Sequence, residues 1–420
     1  MRKWIMILAC LVLVCTLFLG LAGVGSAAAK KDVTLTFWSW RTEDVDAYTK
    51  FIQVFNKKNP NINVKFIPYK NTEYNTILST ALQGGSGPDI MQLRAYGGME
   101  PLANAGYLRA LDGLVPELKG FDTNVLQGAR SRKDQKIYGV PFAVQSIQVL
   151  YNKKIFTKLK LKVPTTWGQM LKVAQTVKNA GLIPFANGTK DAWTLETMFG
   201  GVAPTFYGGD ELNNQIVKGQ TNFEDARLKQ ALSKMLELRP YLPDNYTGVG
   251  YTDMQMMFAQ EMAAMFIAGS YELGTMAQMN PNLEIGAFIV PGETASAPKF
   301  NSTYVDGSYG INAATKYPDE ALKFIRFLAG RQYGQLFTDN LKQISAVPNI
   351  KSKDAALNGI IKVMKPTPYL MLTGFRYGTP SGSTLLQNEV QALFAGAQDI
   401  DKTLKNIQTG VATWYEPFKK

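Results

Sequence analysis

The chain has 420 residues, 45 lysines and arginines against 33 aspartates and glutamates, and a net charge of +12. It contains no histidine, which excludes a Ser-His-Asp triad and a histidine metal site. Its two cysteines, Cys10 and Cys15, both fall in the first residues, so a chain cleaved after them has no thiol for disulfides, thiolate metal sites or nucleophilic catalysis.

In chain order, Arg2 and Lys3 precede an apolar run from Trp4 to Leu21, and Ser26-Ala27-Ala28-Ala29 follows. That order predicts an export signal at residues 1–29, cleaved after Ala29. The apolar run is also long enough for an uncleaved anchor. Ile7-Leu8-Ala9-Cys10 is a loose lipobox with too short an apolar run before it, and Val14 is too large before Cys15. Losing Arg2 and Lys3 lowers the charge by two, from +12 to +10. The lysines are scattered and no nucleic-acid motif stands out, so no nucleic-acid partner is expected.

Val33 to Trp40 is rich in β-branched and aromatic residues and predicts a buried strand. Asp44 to Lys58 places Val45, Tyr48, Phe51, Ile52 and Phe55 at helical spacing, closed by Asn59-Pro60. Ile62 to Ile67 predicts a strand, Tyr74 to Leu82 a helix, and Asp89 to Leu93 a third strand. This alternation predicts a mostly parallel α/β sheet. Gly84-Gly85-Ser86-Gly87 follows a helix and lacks the Lys-Ser/Thr of a phosphate loop, so it reads as a turn. Further helices are predicted over residues 164–178, with Thr165 or Thr166 as N-cap, and over 225–238, 253–264, 319–329, 383–396 and 400–415.

Six patches in order carry a family resemblance: Thr36-Phe37-Trp38; Gly87-Pro88-Asp89-Ile90; Gly139 to Lys153; Val163 to Trp167 with Gly181 to Pro184; Met265 to Tyr271; and Val305 to Ala314. Together they resemble the sugar-binding branch of bacterial extracellular solute-binding proteins, the capture subunits of ABC importers, including maltodextrin- and raffinose-type binders. The resemblance spans essentially residues 32–420. It implies a periplasmic-binding-protein-like α/β fold of two lobes: 30–145 with 305–348, and 146–304 with 349–420. It also implies a monomer at the periplasm or cell surface that binds a neutral mono- or oligosaccharide, needs no cofactor or metal, catalyses nothing, and hands its sugar to ABC permease subunits.

Carried over position by position, the resemblance implies ligand contacts from Trp40, Arg41 and Glu43 after the first strand, with Thr42 beside them, and from Tyr96, with Arg94, after the third. It adds Gln145, at a position that often holds a carboxylate, then Asp191 and Trp193 in a second-lobe loop, Tyr271, and Arg376 in a late aromatic loop between Phe375 and Tyr377. These residue types suit a pyranose: rings cover its C–H faces, and planar polar groups bridge its hydroxyls. Trp38 reads as core, as do Trp167 and Trp414, and Asp89 as a backbone anchor at the strand entry. Two other readings use the same residues. A carbohydrate-active enzyme would pair two carboxylates from among Glu43, Asp191 and Glu272. A ferric or anion clamp would use tyrosines such as Tyr96, Tyr271 and Tyr309.

Overall fold

In strand β1 (Val33–Ser39), Val33, Leu35, Phe37 and Ser39 are buried and Thr34 is exposed, the period-two pattern of a strand with one face on a core. The structure is a computed structural model describing residues 32–419. The expected export segment, with Cys10 and Cys15, lies outside the described residues. From β1 the chain runs through helix α1 (Val45–Lys58), β2 (Ile62–Pro68), α2 (Asn71–Gln83) and β3 (Ile90–Arg94). The three strands pair in parallel.

Phe37 anchors this lobe. Its ring meets Tyr48, Phe66, Tyr309 and Phe324 edge-on at 5.3 to 5.8 Å, and burial of one such side chain contributes about 1.5–3 kcal/mol. Asp89 accepts from the Thr36 backbone N–H at 2.8 Å and from the Thr315 hydroxyl at 2.6 Å, tying β1 to the entry of β3 as a structural residue.

After β4 (Val140–Pro141) only Phe142 intervenes before β5 (Ala143–Asn152), which belongs to a second sheet. There follow α3 (Trp167–Asn179), β6 (Ile183–Phe185), α4 (Ala192–Tyr207), α5 (Ala226–Leu236), α6 (Tyr251–Ala259), β7 (Ala263–Gly269), α7 (Glu272–Met279), β8 (Ile285–Phe288) and β9 (Asn301–Val305). Thr166 caps α3 by accepting from Gln169 N–H, and Asp225 caps α5 through Arg227 N–H. Trp167 is buried and donates its indole N–H to Glu237 at 2.6 Å.

Asp306 alone separates β9 from β10 (Gly307–Ile311), which returns to the first sheet with α8 (Pro318–Leu328) and α9 (Arg331–Leu341). Lys342 and Gln343 lead to β11 (Ile344–Ser345) on β5, and β12 (Pro366–Pro368), α10 (Gly382–Phe394) and α11 (Ile400–Ala412) complete the second lobe. The sheets run β2-β1-β3-β10-β4 and β12-β9-β5-β7-β6, with β8 and β11 also on β5. Among the described residues, no helix is long and apolar enough to cross a membrane.

Two expectations are corrected. The sheets are not mostly parallel: β10 runs antiparallel to β3 and β4, and β5 is antiparallel to β7, β8, β9 and β11. Parallel pairing holds for the first three strands and again between β6 and β7 and between β9 and β12, while β5 and β10, which carry the chain between the lobes, run against their neighbours. The helix expected over 253–264 ends at Ala259. Glu261 takes a left-handed φ of 60°, and the run from Ala263 to Gly269, buried at every position, is a strand.

Candidate functional site

The first lobe presents charge to the space between the lobes. Ser39 closes β1, accepts from Arg41 N–H at 3.0 Å and donates to Gln92 at 2.8 Å, which fixes the turn that carries Arg41. The buried Arg41 guanidinium donates to Asp44 at 2.5 Å and pairs with Glu43 at 3.3 Å and Asp306 at 3.9 Å. Burial disfavours its charge, but Asp44, Glu43 and Asp306 more than offset this and hold the group firmly protonated. Burial in turn raises the Asp44 carboxyl to about 6, against the pull of Arg41.

Arg94, at the end of β3, donates to Asn75 at 3.2 Å and Asn71 at 2.5 Å. Its guanidinium lies 4.0 Å from the Trp40 ring centroid. Burial and the neighbouring Arg376 bring its pKa down to about 9, with Asp306 opposing. Trp40 itself is wedged between Tyr74 and Phe142 and only 4% exposed. It therefore supports the floor more than it offers an open stacking face.

The second lobe presents rings. Asp191 precedes α4 and accepts from Tyr251 N–H, at the start of α6, at 2.8 Å. Trp193 therefore lies in the first turn of α4 rather than in the expected loop, and this bond joins that turn to the first residue of α6, Tyr251, so that the two rings meet edge-on at 4.7 Å. Tyr271 packs over Gly269, where an added Cβ would fall 2.1 Å from the ring, so only glycine leaves the ring its place. Its hydroxyl lies 3.5 Å from Thr197 Oγ1. Beneath it Glu272 is wholly buried. One carboxyl oxygen accepts from Gln255 at 2.9 Å and the other has no hydrogen-bond partner. Burial pushes this carboxyl up to about 7, against the pull of Gln255 and Tyr251.

The third wall comes from α4, α10 and the segment before α10. Glu196 accepts from Ser383 and Gln387, each at 2.6 Å, and burial raises its pKa. Arg376 approaches the first lobe across Gly97, where a Cβ would meet the Arg376 carbonyl oxygen.

These walls enclose a cavity of about 740 Å³ between the lobes, within the ~300–1,000 Å³ of small-molecule sites. It brings together Trp40, Arg41, Glu43, Asp191, Trp193, Tyr271 and Arg376. Tyr96 is not among them. Its left-handed backbone, with φ 57°, turns the ring to a separate cavity beside Arg132 and Tyr377, where its hydroxyl accepts from Val305 N–H at 3.0 Å. Gln145 is fully buried and lines neither cavity. Tyr251, Asp306, Asn75 and Glu196 line the cleft, and sequence reasoning missed them. Asp306 had a signal, since it sits at the start of the return strand; Tyr251 reaches the cleft only through its contacts with Asp191 and Trp193 at the start of α4, and Glu196 only through the packing of α4 against α10.

The sequence profile described as bacterial extracellular solute-binding protein matches residues 39–335. A relative described as a multiple sugar-binding protein, from Streptococcus mutans, is 26% identical over 410 residues, covering 94% of this chain and 93% of that one. The melibiose/raffinose/stachyose-binding protein of Bacillus subtilis is 20% identical over 347 residues, 79% of each chain. Among solved structures, a solute-binding protein in complex with raffinose superposes with a TM-score of 0.78 at 23% identity, covering 92% of this chain and 100% of that one.

Proposed function

This chain belongs to the bacterial extracellular solute-binding protein family, and we propose that it captures a neutral mono- or oligosaccharide between its lobes and delivers it to an ABC permease. One observation carries the reading. The rings of Trp193, Tyr251 and Tyr271 on the second lobe and the charged and amide groups around Arg41, Asp306 and Asn75 on the first line one cavity. A sugar has the matching surfaces: rings cover its apolar face, and planar polar groups engage its rim. The relatives named for sugars support the same ligand class. The contacts run through Arg41, Glu43, Asp191, Trp193, Tyr271 and Arg376, while Trp40 supports them from the floor and Tyr96 and Gln145 act through the hinge. Lobe closure needs only a ligand that binds the closed form better, and reversing a 1:99 ratio takes about 5.5 kcal/mol of differential affinity.

The arrangement favours binding over hydrolysis. Glu43 is paired with Arg41, Asp191 is held by Tyr251 N–H and Glu272 is sealed beneath Tyr271, so none is poised as an acid facing a base. Burial pushes the Tyr251 and Tyr271 phenols upward, which works against ferric phenolates. In this reading residues 1–29 export the chain and are removed, and the mature protein acts as a monomer outside the cytoplasm. Thermal shift of residues 30–420 against a panel of sugars, amino acids, peptides and metal salts tests it, with an aryl-glycoside assay alongside. Stabilisation by saccharides without glycoside cleavage is expected. Saturable stabilisation only by the other classes overturns the reading.

A further inference from the structure

Each of the three chain crossings between the lobes brings one polar side chain to a common point. Gln145 lies just beyond Phe142 on the first crossing, Asp306 is the single residue of the second, and Gln343 precedes β11 on the third. The Gln145 amide touches both of the others. Its Nε2 donates to Asp306 at 3.2 Å and to Gln343 Oε1 at 2.9 Å, and its Oε1 accepts from Ser270 Oγ at 2.7 Å. Ser270 directly precedes Tyr271 of the cleft and also accepts from Ser146 N–H at 3.2 Å. Asp306 on its other side faces Arg41 and lines the cleft.

We infer that Gln145 is the clasp of the hinge: a positioning residue that binds the three crossings into one pivot and holds Asp306 toward the ligand without touching the ligand itself. The contact with Asp306 requires a donor. An ionised carboxylate here could accept from Ser270, and from Gln343 with its amide turned, but could not donate to Asp306. Any motion that separated the three crossings would strand buried polar groups, which is costly. Lobe movement is thereby confined to bending that keeps this amide near its axis. The inference rests on the cleft being the ligand site, but its test has an arm free of ligand.

The charged and titratable groups near Asp306 are Arg41, with Glu43 and Asp44 behind it, and Arg94, Tyr271 and Tyr304. Q145E keeps the size of the side chain and sets a second carboxylate against Asp306, so the pair must share a proton. Without ligand, the unfolding midpoint of Q145E should fall below the parent's at pH 8 and recover by pH 5. Adding D306N should restore it at pH 8, because the amide then introduced at position 306 can donate to the carboxylate introduced at position 145. With raffinose, or whichever sugar binds the parent, Q145E should bind roughly tenfold more weakly at pH 8 and regain affinity at pH 5. A Q145E protein with the parent's midpoint and pH profile overturns the inference. So does a Q145E/D306N protein no better than Q145E, including failure of both to fold. If no sugar binds the parent, the proposed function fails and the unfolding arm still decides the clasp.

Discussion

The two faces of the cleft are built by opposite means. The first lobe's face is a buried charge cluster, with Arg41 held by Glu43, Asp44 and Asp306, and its polar groups are bonded to one another before any ligand arrives. The second lobe's face is made of rings, Trp193 against Tyr251 beside Tyr271, held by short backbone contacts such as Asp191 to Tyr251 N–H. Damage to the two should therefore show up in different measurements. Removing a group from the charge cluster strands its partners in a buried site and costs stability first. Removing a ring leaves the fold largely intact and costs binding first.

The largest expected effect breaks the charged face. Arg41→Ala leaves Asp44 and Asp306 without their cation and should lower unfolding free energy by roughly 3 kcal/mol, measured by urea denaturation. The loss should be greater at pH 8 than at pH 5, because burial already holds the Asp44 carboxyl up at about 6 and acid neutralises it. A next, smaller effect tests the ring face. Trp193→Ala should weaken sugar binding by about 2 kcal/mol with little change in denaturation midpoint; a large stability loss with unchanged affinity would make the ring structural.

Glu272 lies beneath the ring face yet behaves like the charged one. Its folded pKa of about 7 stands above the ordinary glutamate value of 4.5, so the native state binds more protons than the unfolded state between those values. Stability should therefore fall as pH rises from about 5 to 7.5. Glu272→Gln should remove that decline, seen as a flatter plot of unfolding free energy against pH. The smallest effect belongs to Glu43, whose side chain is partly exposed at the edge of the cluster. Glu43→Gln should change stability by no more than about 1 kcal/mol, and less at high salt.

Legibility in the sequence follows the same divide. β1 and its loop are readable because a run of β-branched and aromatic residues ends directly at Trp40 and Arg41, so position along one strand settles which residues meet the cleft. The α1 helix is readable from its apolar spacing, and Tyr48, Phe51 and Phe55 are buried on one face. Tyr251 is not readable, because it reaches the site through a bond between Asp191 and a backbone N–H sixty residues away. The placement of Gln145 is hidden for a similar reason. A resemblance marks its position, but only the meeting of three chain crossings turns its side chain inward and saturates its amide. Tyr96 follows β3 like a ligand contact, yet its left-handed backbone directs it to the far side of the hinge strand.

Whether these two unlike faces close on one ligand can be read from small-angle scattering of the mature chain, with and without a saturating saccharide. A smaller radius of gyration is expected with the sugar, and no such change for Trp193→Ala at the same sugar concentration. An unchanged radius when the parent is saturated, or contraction only with an amino acid, peptide or metal, would overturn the closing clamp.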